Sequence, residues 1–288
     1  MKNKLLISFS GGRTSAYMTW YLLNEWPDRE NWDMVVVFAN TGKEVEGTLK
    51  FIEMCSISWG IDIIWVEAMC KDENGNTFSE KGYGVKHKIV SYKTASRNGE
   101  PFEEVISVLG IPSSKAPYCS RQLKTSAIDS YIKSIGWNDY HKAIGIRADE
   151  IDRMNEDFRK LKVIYPFIKY KPLNKKMVLD WWKLQPFDLN IDTDLGNCDA
   201  CWKKDMKRLV RISKKKPEVL DWWQKMTDKY GHITAGPASQ QMKPPFNFYR
   251  GNLSPKEIHK LKELSDLQLE LFTETEKLDG CSESCEAF

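Results

Sequence analysis

The chain has 288 residues, 41% of them hydrophobic and 29% charged, the balance of a globular protein large enough for an α/β core with an appendage. No apolar run approaches the roughly 20 residues that span a bilayer, and the start, MKNKLLISFSGG, turns polar too early for a signal peptide, so no membrane partner and a cytoplasmic location are expected. A net charge of +3 is too mild to name a nucleic-acid partner, and seven cysteines, an odd number, argue against a disulfide scaffold and for metal or thiol chemistry.

Residues 5–9 (LLISF), 34–39 (MVVVFA) and 62–66 (DIIWV) are short apolar runs that read as strands. Between them, 16–26 and 48–59 carry apolar residues at three- and four-residue spacing and read as crossover helices. The alternation predicts an α/β fold, a parallel sheet with helices on both faces. Residues 71–100, with glycines at 75, 82, 84 and 99, are expected to form a long insertion near the mouth of a site. A helix is expected over 120–135, and strands over 140–146 and 163–168. The pattern then turns helical, over 174–184, 202–214, 217–230 and 255–272, with a Gly/Pro/Gln-rich loop at 231–254. This predicts an α/β domain over 1–172 and a C-terminal helical region over 173–288. Most of the eleven tryptophans, including the DWW runs at 180–182 and 221–223, sit at helical spacing beside apolar neighbours and are expected to pack.

The segment from Ser8 through Ser10, Gly11, Gly12, Arg13, Thr14 and Ser15 runs from the first strand directly into a helix. Two glycines there let the backbone approach phosphate oxygens, and the helix N-terminus offers free N–H groups and partial positive charge. Hydroxyls at Ser10, Thr14 and Ser15 and the charge of Arg13 add donors. Neither G-x-x-x-x-G-K-[ST] nor G-x-G-x-x-G is present.

S-G-G-x-x-S after a first strand resembles the PP-loop of the adenine nucleotide α-hydrolase superfamily. With ANTGKEVEGT (39–48), YCSRQLKTSAI (118–128) and GIRADEIDR (145–153) in the same order, the chain resembles the phosphoadenosine phosphosulfate (PAPS) reductase-like family over roughly residues 5 to 201. The resemblance implies ATP or PAPS, with Mg²⁺, on the loop, and adenine and ribose contacts at Asn40, Thr41 and Gly42. These three follow the second strand, at the edge where open α/β sheets bind ligands. Arg147, Asp149, Glu150 and Arg153 follow a later strand at the same edge. An arginine there can fork onto phosphate or sulfate, and Arg147, Asp149 and Glu150 are the catalytic candidates. The bland alternative is a helix start with surface ion pairs.

Cys198 and Cys201 form a C-x-x-C, a sign of metal or cluster ligation. Adenylyl sulfate reductases of the family add a Cys-Cys pair near position 119 and bind a four-iron four-sulfur (4Fe-4S) cluster. Here Cys119 is kept and Tyr118 replaces its neighbour, so Cys119, Cys198 and Cys201 are the expected ligands, with Cys281 or Cys285 able to close the site. Zinc is the alternative metal. Cys55 and Cys70 are expected to be buried hydrophobes.

Residues 203–216 hold eight Lys or Arg against one acid, Asp205, so this helix either guides a nucleic acid or is a solvated face. A homodimer is left open. The expected reaction is ATP-dependent adenylation followed by sulfur transfer, because the intact S-G-G-x-x-S suits a leaving pyrophosphate. Reduction of PAPS or adenylyl sulfate is the alternative, although the tail DGCSESCEAF lacks the reductases' E-C-G-x-H-like motif. A non-catalytic, zinc-stabilised nucleic-acid-binding protein is the third reading.

Overall fold

The computed structural model describes residues 2–78, 84–235 and 243–275. The strands are β1 (Asn3–Ser8), β2 (Trp32–Asn40), β3 (Ile63–Met69), β4 (Lys86–Val90), β5 (His141–Ala143) and β6 (Val163–Ile164). They form one sheet in the order β4-β3-β2-β1-β5-β6, parallel throughout except for β3 with β4. Parallel neighbours need crossovers, and α1 (Arg13–Asn24) and α2 (Glu46–Trp59) supply the first two.

Alternate strand residues enter two cores. Leu6, Val37, Ala39 and Val66 share one with residues of α3 (Glu100–Leu109), α4 (Ser126–Ser134), α7 (Met206–Lys215) and α8 (Val219–Tyr230). Leu5, Ile7, Val36 and Phe38 share the other with α1, α2 and α6 (Lys175–Trp182). Burial on both faces is why β1, β2 and β3 read as continuous apolar runs. The C-terminal helices therefore contribute to both cores of the sheet, and Trp182 and Trp223 are among the largest fully buried side chains.

Several boundaries differ from expectation. The 71–100 segment contains β4, an antiparallel edge strand whose KHKIV sequence is mostly exposed and so carries no apolar signature. It leads into α3, whose Phe102, Val105 and Ile106 are buried. The last strand stops at Ile164, because Pro166 starts the short helix α5 (Pro166–Lys169) and offers no N–H to a ladder. The helix expected over 120–135 opens with a π-helical turn, Arg121–Thr125, before α4. The 255–272 helix is two, α9 (Pro255–Lys260), capped by Ser254, and α10 (Asp266–Thr275). No described helix is long and apolar enough to cross a membrane.

Candidate functional site

The turn after β1 closes on its own side chains. Gly11 has φ +81°, and a Cβ there would stand 2.7 Å from Thr48 Cγ2, so the approach of α2 requires glycine. The buried Ser15 hydroxyl donates to the Gly12 carbonyl and accepts from the Ser10 amide (3.1 Å) and hydroxyl (2.9 Å). Ser15 thus braces the loop from inside. No side chain caps the N-terminus of α1.

The loop from Ser10 to Ser15 forms one wall of a pocket of about 240 Å³. Arg147, Lys175 and Arg208 reach it from three distant segments, and the apolar side chains of Val178, Leu179 and Ile191 complete the opposite side. Among the described residues no carboxylate lines it. Thr48 does line it, and its hydroxyl oxygen is buried with no hydrogen-bond partner.

Arg147 is held for this position. Its Nε meets Asp149 at 3.0 Å, Nη1 meets Glu150 at 3.2 Å, and the same nitrogen donates to the Thr14 hydroxyl at 3.3 Å. Arg153 pairs with the other Glu150 oxygen. The segment is an ion-pair network, largely buried rather than on the surface, and it fixes the orientation of Arg147. Asp149, Glu150 and Arg153 do not line the pocket; they position Arg147. Arg13 does line the pocket, but its guanidinium is engaged, forking onto Asp188 at 2.7 and 2.9 Å and donating to the Leu189 carbonyl, which fastens the C-terminal region to the loop. Ser8 points to the opposite face of the sheet, against Thr125 and Ile144.

Asn40, Thr41 and Gly42 are not beside this pocket. Asn40 is fully buried, donating to Glu67 (2.6 Å) and to the Ser96 carbonyl and accepting from the Gly42 amide. Thr41 is bonded to Glu44, and its hydroxyl lies 3.4 Å from Cys198 Sγ. Gly42, at φ +75°, abuts Gly99. The segment is a docking strip: Glu44 bridges to Cys198, the Asp199 amide donates to the Lys43 carbonyl, and Lys43 pairs with Asp199.

Cys119, Cys198 and Cys201, distant in sequence, line one small cavity of about 20 Å³ with Lys124, Trp202 and Trp223. That space takes about one water-sized species. The Trp202 indole N–H is buried without a partner. Burial, with the Glu44 carboxylate adding to it, pushes the Cys198 thiol well above its ordinary range. Among the described residues no group of three His, Cys, Asp or Glu side chains is arranged to hold a metal ion. Cys281 and Cys285 lie outside the described residues. Tyr118 is half-buried and donates its hydroxyl to the Gly110 carbonyl. Cys55 and Cys70 are buried, free thiols.

Asn197, left-handed at φ +61°, borders both the pocket at the glycine turn and the thiol cavity. Neither it nor Thr48, Lys175 and Arg208 was legible as a site residue. The available signals were weak: Lys175 follows an Asn174 helix cap, and Arg208 belongs to the basic helix. That helix, α7, is largely neutralised by the protein itself. Arg211, Lys215 and, at 3.6 Å, the pocket-lining Arg208 pair with Asp194, Lys215 also with Asp192, Lys207 with Glu270, and the buried Lys204 donates to the Asp194 and Gly196 carbonyls.

The chain is 31% identical to the uncharacterized nin region protein ORF290 of Escherichia phage lambda over 292 residues, 98% of this chain and 94% of that protein. It is 24% identical to the uncharacterized protein MJ0066 of Methanocaldococcus jannaschii over 242 residues, 80% of this chain but 42% of that one. No family model matches, and no solved structure matches.

Proposed function

We propose a function from this premise: the chain belongs to the family of the phage lambda nin region protein ORF290. In our reading it is a PP-loop enzyme of the adenine nucleotide α-hydrolase type. ATP binds with its phosphates on Ser10 to Ser15, an acceptor oxygen attacks the α-phosphorus, pyrophosphate leaves, and a sulfur nucleophile then displaces AMP from the adenylated acceptor. The observation that carries this reading is the convergence of Arg147, Lys175 and Arg208 on a glycine turn at a helix N-terminus, in a pocket no described carboxylate lines. Three cations and an uncapped helix suit the charge of a triphosphate and the further charge that gathers on departing pyrophosphate. Mg²⁺ would come bound to the phosphates, with hydroxyls and water completing its shell.

The sulfur half of the reading is supported by the three thiols gathered one residue, Asn197, away from the phosphate pocket. Thiolates are ligands for a thiophilic metal, but the cavity as it stands takes about one water-sized species and no described trio is arranged around an ion, so the three thiols as placed do not fit a four-iron cluster. Were the Cys198–Cys201 loop to open around one, the cluster would supply an iron able to carry a sulfur atom, whereas zinc would supply structure alone. The chain's own contribution is to hold phosphates, orient Arg147 and keep the thiols dry.

The test is product analysis of the protein prepared without air. Pyrophosphate release from Mg·ATP, dependent on a sulfur acceptor and abolished in Arg147→Ala, is the expected result. Sulfite release from PAPS or adenylyl sulfate with a thiol donor, without ATP turnover, would replace sulfur transfer by reduction. Neither activity, with zinc in the protein, would leave the non-catalytic nucleic-acid-binding reading.

A further inference from the structure

A second, larger depression lies at the opposite end of the parallel strands. Trp32 begins β2 and His141 begins β5, and both line it, as does β6, the edge strand opposite β4 in the described sheet. Its volume is about 640 Å³. Trp32 pairs with Asn3 at the start of β1, whose six residues place this end roughly 17 Å from the phosphate loop. Nothing in the proposed reaction uses it.

The side chains around the depression divide by chemistry. Trp32, Phe158 and Tyr170 are half-buried aromatic rings, while Arg159, Lys162 and Lys169 stand exposed. No described carboxylate lines the space. Lys162 pairs with the exposed Asp139. Arg159 and Lys169 make no ion pair among the described residues; instead the guanidinium lies 5.5 Å from the centre of the Phe158 ring and the ammonium 4.9 Å from that of Tyr170. A cation resting on a ring keeps its charge for an incoming anion, and each such pair sets an aromatic surface and a positive charge side by side in the groove.

A ligand that uses both halves of this surface must carry anionic groups and flat apolar groups in alternation. An inorganic polyanion would leave the rings unused, and an apolar helix would bury cations without partners. A single nucleic-acid strand has a phosphate and a base at every step, and its unstacked bases are free to lie on aromatic side chains. The basic helix α7 is the weaker candidate for such a partner, since Asp192, Asp194 and Glu270 already neutralise much of it. We propose that this groove is a binding site for single-stranded nucleic acid, with phosphates on Arg159, Lys162 and Lys169 and bases against Trp32, Phe158 and Tyr170. The site is separate from the phosphate loop and stands whether or not the reaction proposed there is right.

The experiment is fluorescence anisotropy of short labelled oligothymidylate and oligouridylate with the full chain. Wild-type binding should weaken with salt, the logarithm of affinity falling by about 0.7 per contacted phosphate for each tenfold rise. Arg159→Glu with Lys169→Glu should weaken binding at least tenfold and flatten that slope. Tyr170→Ala should weaken it at least about fivefold while leaving the slope unchanged, as loss of one stacked base requires. Lys214→Glu with Lys216→Glu, at the C-terminal end of α7, should change it less than twofold. Should a groove variant fail to fold, protection of Lys162 and Lys169 from acetylation by bound oligonucleotide in the wild type decides instead. Absence of binding at low salt, loss of binding in the α7 variant alone, no lysine protection, or equal binding of inorganic polyphosphate with no effect of Tyr170→Ala would each overturn the proposal. So would a protein dimer broken by the groove variants in the absence of oligonucleotide binding.

Discussion

Lys43 Nζ lies 2.9 Å from the Asp199 carboxylate, with both side chains almost wholly buried, and this pair holds the Cys198–Cys201 loop against the end of β2. Asp199 also accepts from the Trp223 indole at 2.8 Å, and Lys43 sits 4.8 Å from the centre of the Trp222 ring. Removing one member strands the other in a dry interface. Asp199→Ala should lose about 3–5 kcal/mol in urea unfolding, whereas Lys43→Met with Asp199→Leu should recover a large part of it. Equal losses in the single and double variants would mean that the pair is not what joins the loop to the sheet.

The two glycines of the phosphate loop should respond differently. Gly11 is left-handed and crowded by Thr48 and Ile52, so Gly11→Ala should destabilise the fold by about 1–3 kcal/mol. Gly12 has φ −99° and only Ser10 Oγ, at 3.7 Å, near its missing Cβ. Gly12→Asp should therefore fold normally and lose nucleotide binding, because its carboxylate enters the space for phosphate. Calorimetric titration with ATP and PAPS, alongside thermal melts, separates the two effects, and unchanged affinity in Gly12→Asp would sink the phosphate assignment.

Thr48 makes a sharper prediction. A buried hydroxyl without a partner costs stability, and replacing it by a methyl of the same shape is neutral or favourable. Thr48→Val should raise stability by up to about 1 kcal/mol while weakening nucleotide binding if the partnerless hydroxyl of this pocket-lining residue is reserved for a ligand. A variant that is more stable and binds nucleotide as tightly as the wild type would show that the hydroxyl has no ligand.

Alkaline stability should report the buried thiols. Burial, with Glu104 adding to it, pushes Cys70 up to about 11 from an ordinary value near 9. Between those two values the unfolded chain has lost the proton that the folded one keeps, so stability falls as pH rises through this window and is fully present below it. Cys70→Ala should flatten the decline in urea-unfolding free energy between about pH 9 and pH 11. An unaltered slope would mean that Cys70 does not titrate differently in the two states.

Metal content addresses the cysteine cavity. The cavity as it stands is too small for a cluster, so iron and acid-labile sulfide in protein purified without air, lost in Cys119→Ala, Cys198→Ala and Cys201→Ala, would show that the thiols open around one. Cys281→Ala and Cys285→Ala then ask whether the tail closes the site: loss of metal makes a tail cysteine a ligand, and retained metal with lost activity makes it a mobile thiol. A metal-free, well-folded wild type from the same preparation would refute the cluster.

The sequence by itself determined what depends on near neighbours. Apolar runs and helical spacing marked β1, β2, β3 and their crossovers, because burial on both faces leaves a signature in every few residues. The same local logic put a glycine turn before α1. Tertiary structure decided who partners whom. Arg13, beside the loop, spends its charge on Asp188; Arg208, from the opposite part of the chain, takes a place in the pocket; Asn40 and Thr41 turn inward to Glu67 and Glu44. A charged side chain reads the same in sequence whether its counterion is a ligand or a carboxylate 175 residues away. Only the path of the chain brings that carboxylate within reach, so it alone decided which positions of the basic helix meet Asp192, Asp194 and Glu270, and it brought Arg208, itself paired with Asp194, to the pocket beside the glycine turn.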